Sequence, residues 1–234
     1  MKDGLDITNA EYYSKIDMAT VKHIFRSDDG VTMVPLLEER LKCLHEVGNR
    51  LVEKWQGKFL NVVKAAEGSA INLLKLVVQE FPCFRDEADF CGQRVSLYKR
   101  AQILIGDIWA CFRGEGLGAF KDLYDITMFA DYRVPQVLIH FGSLEYNEDL
   151  MRTLKDDEIL KNGDVREVEI RGASIYIVEE VKDKVIKLIE EKYPEISKAH
   201  VNSILIDHFL WDYRRQFAKE LEYIPFHKTL SVYY

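Results

Sequence analysis

Apolar residues recur at helical spacing along most of this chain, and only five prolines interrupt its 234 residues. Leu37, Leu41, Leu44, Val47, Leu51 and Trp55 follow one another at intervals of three or four. At about 3.6 residues per turn that spacing gathers them on one face, so a long amphipathic helix is predicted over 36–55. The same pattern predicts helices at 19–25, 58–65, 69–80, 95–112, 134–141, 147–160, 165–192 and 201–221. Tyr193-Pro194 ends the longest of them. Strand-like alternation is sparse. The run VREVEIRGASIYIVEE from Val165 alternates enough for a short strand, and one short β-hairpin is the most sheet that the pattern allows. The expected fold class is therefore all-α.

Composition narrows the function. The apolar fraction, 47%, is ample for a core, and no apolar run approaches the roughly 18 residues that would span a bilayer. The opening MKDGLDITNAEYY lacks a hydrophobic signal region. Cys43, Cys83, Cys91 and Cys111 form no C-x-x-C pair, and no His pair stands near them. They are expected as reduced thiols in a cytoplasmic or nuclear protein, with no metal site and no cofactor. Asp and Glu outnumber Lys and Arg, 39 to 32. A protein that grips a nucleic-acid polymer usually presents a basic face. The expected partner is instead a small anionic molecule held by two or three cations, with neither polymer nor membrane. The oligomeric state is left open.

Residues 120–141, FKDLYDITMFADYRVPQVLIHF, set a carboxylate, Asp131, inside an apolar and aromatic run. Such a group is costly to bury without partners or a task. Pro135 suits the first turn of the following helix, which puts Asp131 at or just before a helix N-terminus, where positive partial charge favours its ionised form. It is either a plain N-cap or an ionised carboxylate aimed into a pocket. Lys99 interrupts the most hydrophobic helix, 95–112; it either snorkels to solvent or directs a cation toward Asp131. Residues 201–221, VNSILIDHFLWDYRRQFAKEL, place Asp207, His208, Trp211 and Asp212 where they can converge on a pocket that their helix crosses. Paired acids there suit the hydroxyls of a sugar-like ligand; the alternative for Asp212 is solvent exposure with a local partner such as Arg215. His23 is a surface or capping residue, or a pocket residue. FPCFRDEADF, 81–90, reads as a solvated, charged turn with aromatic anchors. GEGLG at 114–118 matches neither a phosphate-binding nor a dinucleotide-binding loop and reads as a turn between helices, with a subdivision of the single domain possible near 113–119. The aromatic tail, IPFHKTLSVYY, is expected to dock.

Taken in order, FPCFRDEADF, YKRAQILIGDIW, ITMFADYRVPQVL, EIRGAS, NSILIDHFLWDY and the closing IPFHK…YY resemble the queuosine salvage family, the queuosine 5′-phosphate N-glycosylases, from about Tyr12 onward. The resemblance implies one glycosylase-like domain over 1–234, related to helix–hairpin–helix DNA glycosylases, that hydrolyses the N-glycosidic bond of queuosine 5′-phosphate and releases queuine for tRNA. It implies that Asp131 is the catalytic aspartate and Lys99 an active-site lysine. Phe129 would stack on the base, Asp207 and Asp212 would hold the base and its diol arm, and Arg133, Trp211 and His23 would complete the substrate site. Family members carry an aromatic-rich region upstream, so the chain is expected to be N-terminally shortened. A non-catalytic queuine- or nucleotide-binding isoform is the alternative reading, and a DNA glycosylase a more distant one.

Overall fold

The helical periodicity resolves into ten α-helices among the described residues of a computed structural model, which describes residues 4, 6–197 and 201–234. They are α1 Ala10–Tyr13, α2 Met18–Ile24, α3 Leu37–Trp55, α4 Phe59–Ala65, α5 Ala70–Glu80, α6 Lys99–Cys111, α7 Val134–His140, α8 Glu148–Lys155, α9 Val165–Lys192 and α10 Ser203–Gln216. Side-chain caps start several of them. Ser69, Asn147, Asp164 and Asn202 each accept a backbone N–H from the first turn of α5, α8, α9 and α10, satisfying donors that the helix itself cannot. Pro135 sits in the first turn of α7, as expected.

The chain departs from the helical pattern at three predicted helices: α6 starts late, and α8 and α10 stop early, α10 at Gln216 rather than 221. The predicted helix at 95–112 begins only at Lys99, because Gln93–Ser96 is a strand, β2, paired antiparallel with β1, Glu87–Phe90. Tyr98 takes a left-handed backbone, φ 48°, and turns the strand into the helix. FPCFRDEADF is accordingly not a solvated turn; it holds a short 3-10 turn, Pro82–Phe84, and β1, and Asp86 between them is 3% exposed. Helix α8 stops at Lys155 rather than continuing to 160, and the chain then makes a bridge from Ile159 to Lys228 in the tail. The alternating start of α9 is helical throughout.

Two main apolar clusters form the interior. One gathers α3, α4, α5 and α6 around Leu51, Val62, Leu73, Val77, Ala101 and Ile105; the other gathers α7, α9 and α10 around Val137, Leu138, Val178 and Leu210, closed by Leu221 and Ile224. Residues 126–131 run between them without regular secondary structure. Ile126 and Phe129 belong to the first cluster, Met128 and Val134 to the second. A buried irregular segment must find partners for its backbone polar groups. Three helices provide them: Gln102 Oε1 accepts the Thr127 N–H at 2.9 Å, Asp207 Oδ2 accepts the Phe129 N–H at 2.9 Å, and Arg171 Nε donates to the Ala130 carbonyl at 3.0 Å.

Arg171, 1% exposed, is the hub of this arrangement. Its Nη1 donates to Asp86 Oδ1 and to Glu167 Oε1, each at 3.0 Å, and its Nη2 donates to Asp86 Oδ2. Asp86 Oδ2 also accepts the N–H of Lys99, the first residue of α6. The tail docks on the same cluster, as expected. The Tyr234 ring lies 4.8 Å from the Arg171 guanidinium carbon, and its hydroxyl donates to Glu167 Oε1 at 2.5 Å. His227 stands 2.9 Å from that hydroxyl and is held at a pKa of about 4 by burial and by Arg171. Removing one partner of a buried ion pair strands the other, at about 3–5 kcal/mol. Arg171→Met is expected to lose roughly that much stability in urea-monitored unfolding; a loss below about 1 kcal/mol would mean that the hub is not needed.

Candidate active site

Asp131, Lys99 and Asp207 come from three different elements and line one recess of about 360 Å³, together with Ile103, Asp107, Phe129, His208 and Trp211. Asp131 lies just before α7. Its Oδ1 accepts the backbone N–H of Arg133 at 2.8 Å and of Val134 at 2.9 Å, so it caps the helix and faces the recess at once. Lys99 opens α6, and its four- and eight-residue successors Ile103 and Asp107 continue the same wall. Asp207, on α10, is 4% exposed and is held in place by the Phe129 N–H. The Phe129 ring forms the floor against α6. A Cβ built on Gly106 would come within 2.9 Å of Phe129 Cζ, so the ring packs where only glycine leaves room. Trp211, partly exposed, stands at the rim.

Burial and charge separate the two acids. Burial raises the Asp131 carboxyl above the ordinary carboxylate range, and the two backbone N–H donors, then Lys99 and Arg133, pull it back. Burial pushes Asp207 up to about 7; its one N–H donor, from Phe129, opposes this, the charge on Asp131 adds to it, and Lys99 offsets part. The Lys99 ammonium is pushed down by burial while Asp131 and Asp207 hold it up. With two donors against one, Asp131 is the readier of the two acids to ionise, and Asp207 exchanges its proton near neutrality. The recess thus gathers two carboxyl groups of unequal acidity and a lysine beside an aromatic floor.

The queuosine salvage protein family model matches residues 1–234. The chain is 47% identical over 234 residues to the queuosine 5′-phosphate N-glycosylase/hydrolase of Mus musculus, covering all of this chain and 68% of that protein. It is 48% identical to the Bos taurus protein of the same name, over the same shares, and 38% identical to that of Sphaerobacter thermophilus, again over all of this chain and 68% of the relative. The chain belongs to the queuosine salvage protein family. Within this family member, six of the residues singled out in the sequence share the one recess: Lys99, Phe129, Asp131, Asp207, His208 and Trp211. Arg133 adjoins it and faces a neighbouring cleft, which it lines with Trp211.

Two candidate residues are not brought there. His23 is exposed on α2, which packs against α3, and does not line the recess. Asp212 is exposed too, because five residues on from Asp207 a helix has turned by about 140° and points elsewhere. Sequence reasoning also passes over Asp107, Asp86 and Arg171. Asp107 was signalled by its spacing from Lys99. Arg171 was signalled by Glu167 one turn before it, on the stripe that carries Ser174 and Val178 to the core.

The raised Asp207 value has a measurable consequence. A carboxyl whose folded pKa lies above its unfolded value stabilises the fold fully below that unfolded value, and the contribution is lost as pH rises through about 7. Asp207→Asn removes this titration. The variant's melting temperature relative to wild type is expected to rise by at least about 2 °C between pH 5 and pH 8; an unchanged difference across that range would show that Asp207 is not protonated in the fold.

Proposed function

We propose that this chain hydrolyses the N-glycosidic bond of free queuosine 5′-phosphate and releases queuine. Family membership supports the reaction class. The gathering of Asp131, Asp207 and Lys99 in one aromatic-floored recess, with both acids acting on the lysine's charge, supports this reading most directly. The substrate is a small molecule rather than a nucleic-acid polymer, in keeping with a recess of about 360 Å³ and an acidic chain.

The bond between the sugar's anomeric carbon and the base nitrogen breaks with its electron pair leaving on the base. Positive charge builds on the sugar as this happens. Asp131, ionised and largely shielded from water, opposes that charge more strongly in the transition state than in the ground state. Lys99 helps to keep Asp131 ionised. Asp207 carries the proton that the departing base needs, and gives it or shares it as a hydrogen bond. Phe129 offers a flat face to the base, and Trp211 covers it from the rim. Water then adds to the anomeric carbon, and the proton it releases replaces the one Asp207 gave up, leaving ribose 5-phosphate and queuine.

Two outcomes are expected when queuine release is followed by mass spectrometry. Asp131→Asn should lower kcat by about 100- to 1,000-fold while the protein stays folded. In the wild type, kcat should fall as pH rises through about 7, where Asp207 loses its proton, and Asp207→Asn should flatten that limb while lowering the rate by about 100-fold or more. Tight binding of the nucleotide without release of base would favour the non-catalytic reading.

A further inference from the structure

Cys43 and Cys83 line one cavity of about 340 Å³ that shares no lining residue with the acid recess. They come from different elements, Cys43 from α3 and Cys83 from the 3-10 turn Pro82–Phe84. Both are free, and their thiols are hydrogen-bonded to one another. Cys83 is buried, whereas Cys43 is half-buried in the cavity wall. The pair is held from the backbone as well. Glu46, on α3, accepts the Cys83 N–H at 2.7 Å and so ties the turn to the helix that carries Cys43.

A cation completes the arrangement. Arg100 lines the same cavity, with its guanidinium carbon 4.9 Å from the Phe84 ring centroid and its Nη1 donating to the Val232 carbonyl of the tail at 2.7 Å. The hydrogen bond from Cys83, and after it the charge of Arg100, draw the Cys43 thiol down to about 7 against burial and Glu46. The same contact, with burial, pushes Cys83 up, so Cys83 is the partner that keeps its proton. The thiolate is the reactive form of cysteine, and reactive cysteines sit in electropositive, partly open settings such as this one. Cys91 and Cys111 are exposed and do not line the cavity.

We infer that Cys43 is a site of reversible oxidation by hydrogen peroxide, with Cys83 as the thiol that resolves it to a disulfide. In the first step the Cys43 sulfur attacks one peroxide oxygen. The O–O bond breaks, and the sulfur is oxidised to a sulfenic acid. The other oxygen is reduced and leaves as hydroxide, which becomes water with the proton that Cys43 gave up. This removes the negative charge that held the Cys83 proton in place. In the second step the Cys83 sulfur attacks the Cys43 sulfur, the S–O bond breaks, and the hydroxyl departs with the Cys83 proton as a second water. Two thiols and one peroxide thus give a disulfide and two waters. The new bond locks α3 to the turn that leads into Asp86, and a reducing thiol reverses it by exchange. The site is independent of the glycosylase reading.

Peptide mapping by mass spectrometry tests this on the full chain. The protein is given a short dose of hydrogen peroxide at pH 7, its remaining thiols are blocked, and it is digested without reductant. The expected product joins the peptides that carry Cys43 and Cys83, is lighter than their sum by two hydrogens, and disappears with dithiothreitol. The free Cys43 thiol should be lost at least about fivefold faster than those of Cys91 and Cys111. Cys83→Ser should stop the reaction at a Cys43 sulfenic acid that dimedone captures, and Cys43→Ser should leave Cys83 a free thiol at the same dose. Arg100→Met, folded by circular dichroism, should slow the loss of Cys43 by about threefold. Three results would each overturn the proposal: Cys43 reacting no faster than the exposed cysteines, a disulfide that joins other cysteines instead, or Cys43 passing irreversibly beyond the sulfenic acid while Cys83 stays free.

Discussion

Six residues of buried, irregular backbone, 126–131, are the constraint around which this protein is arranged. An irregular strand of chain between two apolar clusters has N–H and C=O groups that neither helix nor sheet can satisfy, and each one left unpaired costs about 1–3 kcal/mol. Gln102, Asp207 and Arg171 reach in from α6, α10 and α9 to meet them. The helices are therefore tied to this segment by hydrogen bonds as well as by packing. Asp131 stands at its end, and the partners that hold the segment are also neighbours of the site.

Scaffold and chemistry consequently share atoms. Asp207 accepts the Phe129 N–H and faces the recess with its raised pKa. Asp86 neutralises Arg171 and fixes the first N–H of α6, from which the Lys99 side chain departs. Through Arg171 the docked tail is linked to the Ala130 carbonyl, one residue from Asp131. Precision of this kind is what an electrostatic mechanism requires, because a carboxylate stabilises developing charge only where it is held in advance of the reaction.

Much of the architecture is visible in the sequence, because helical periodicity is a local property. The stripe from Leu37 to Trp55 and the apolar face of α5 need no knowledge of what they pack against. The hairpin of β1 and β2 is hidden for the opposite reason. Arg85, Asp86, Glu87 and Asp89 look solvated, and nothing nearby records that Asp86 is matched by Arg171, 85 positions away. The apolar pattern of 95–112 likewise runs unbroken across Tyr98 and does not register its left-handed backbone. Asp131 and Asp207 stand out as acids in apolar runs, yet that they meet, and that Asp212 and His23 stay outside, depends on helix rotation and packing that spacing alone leaves open.

The depth of the recess is set by a carbon that is absent. Gly106 lets the Phe129 ring sink against α6, with Ile204 close behind it. Any side chain there would push the ring toward whatever lies above it, making the floor shallower while leaving the charges of Asp131, Asp207 and Lys99 as they are. The shape of the recess can therefore be altered through one backbone position and one ring, without moving the acidic side chains on its other walls.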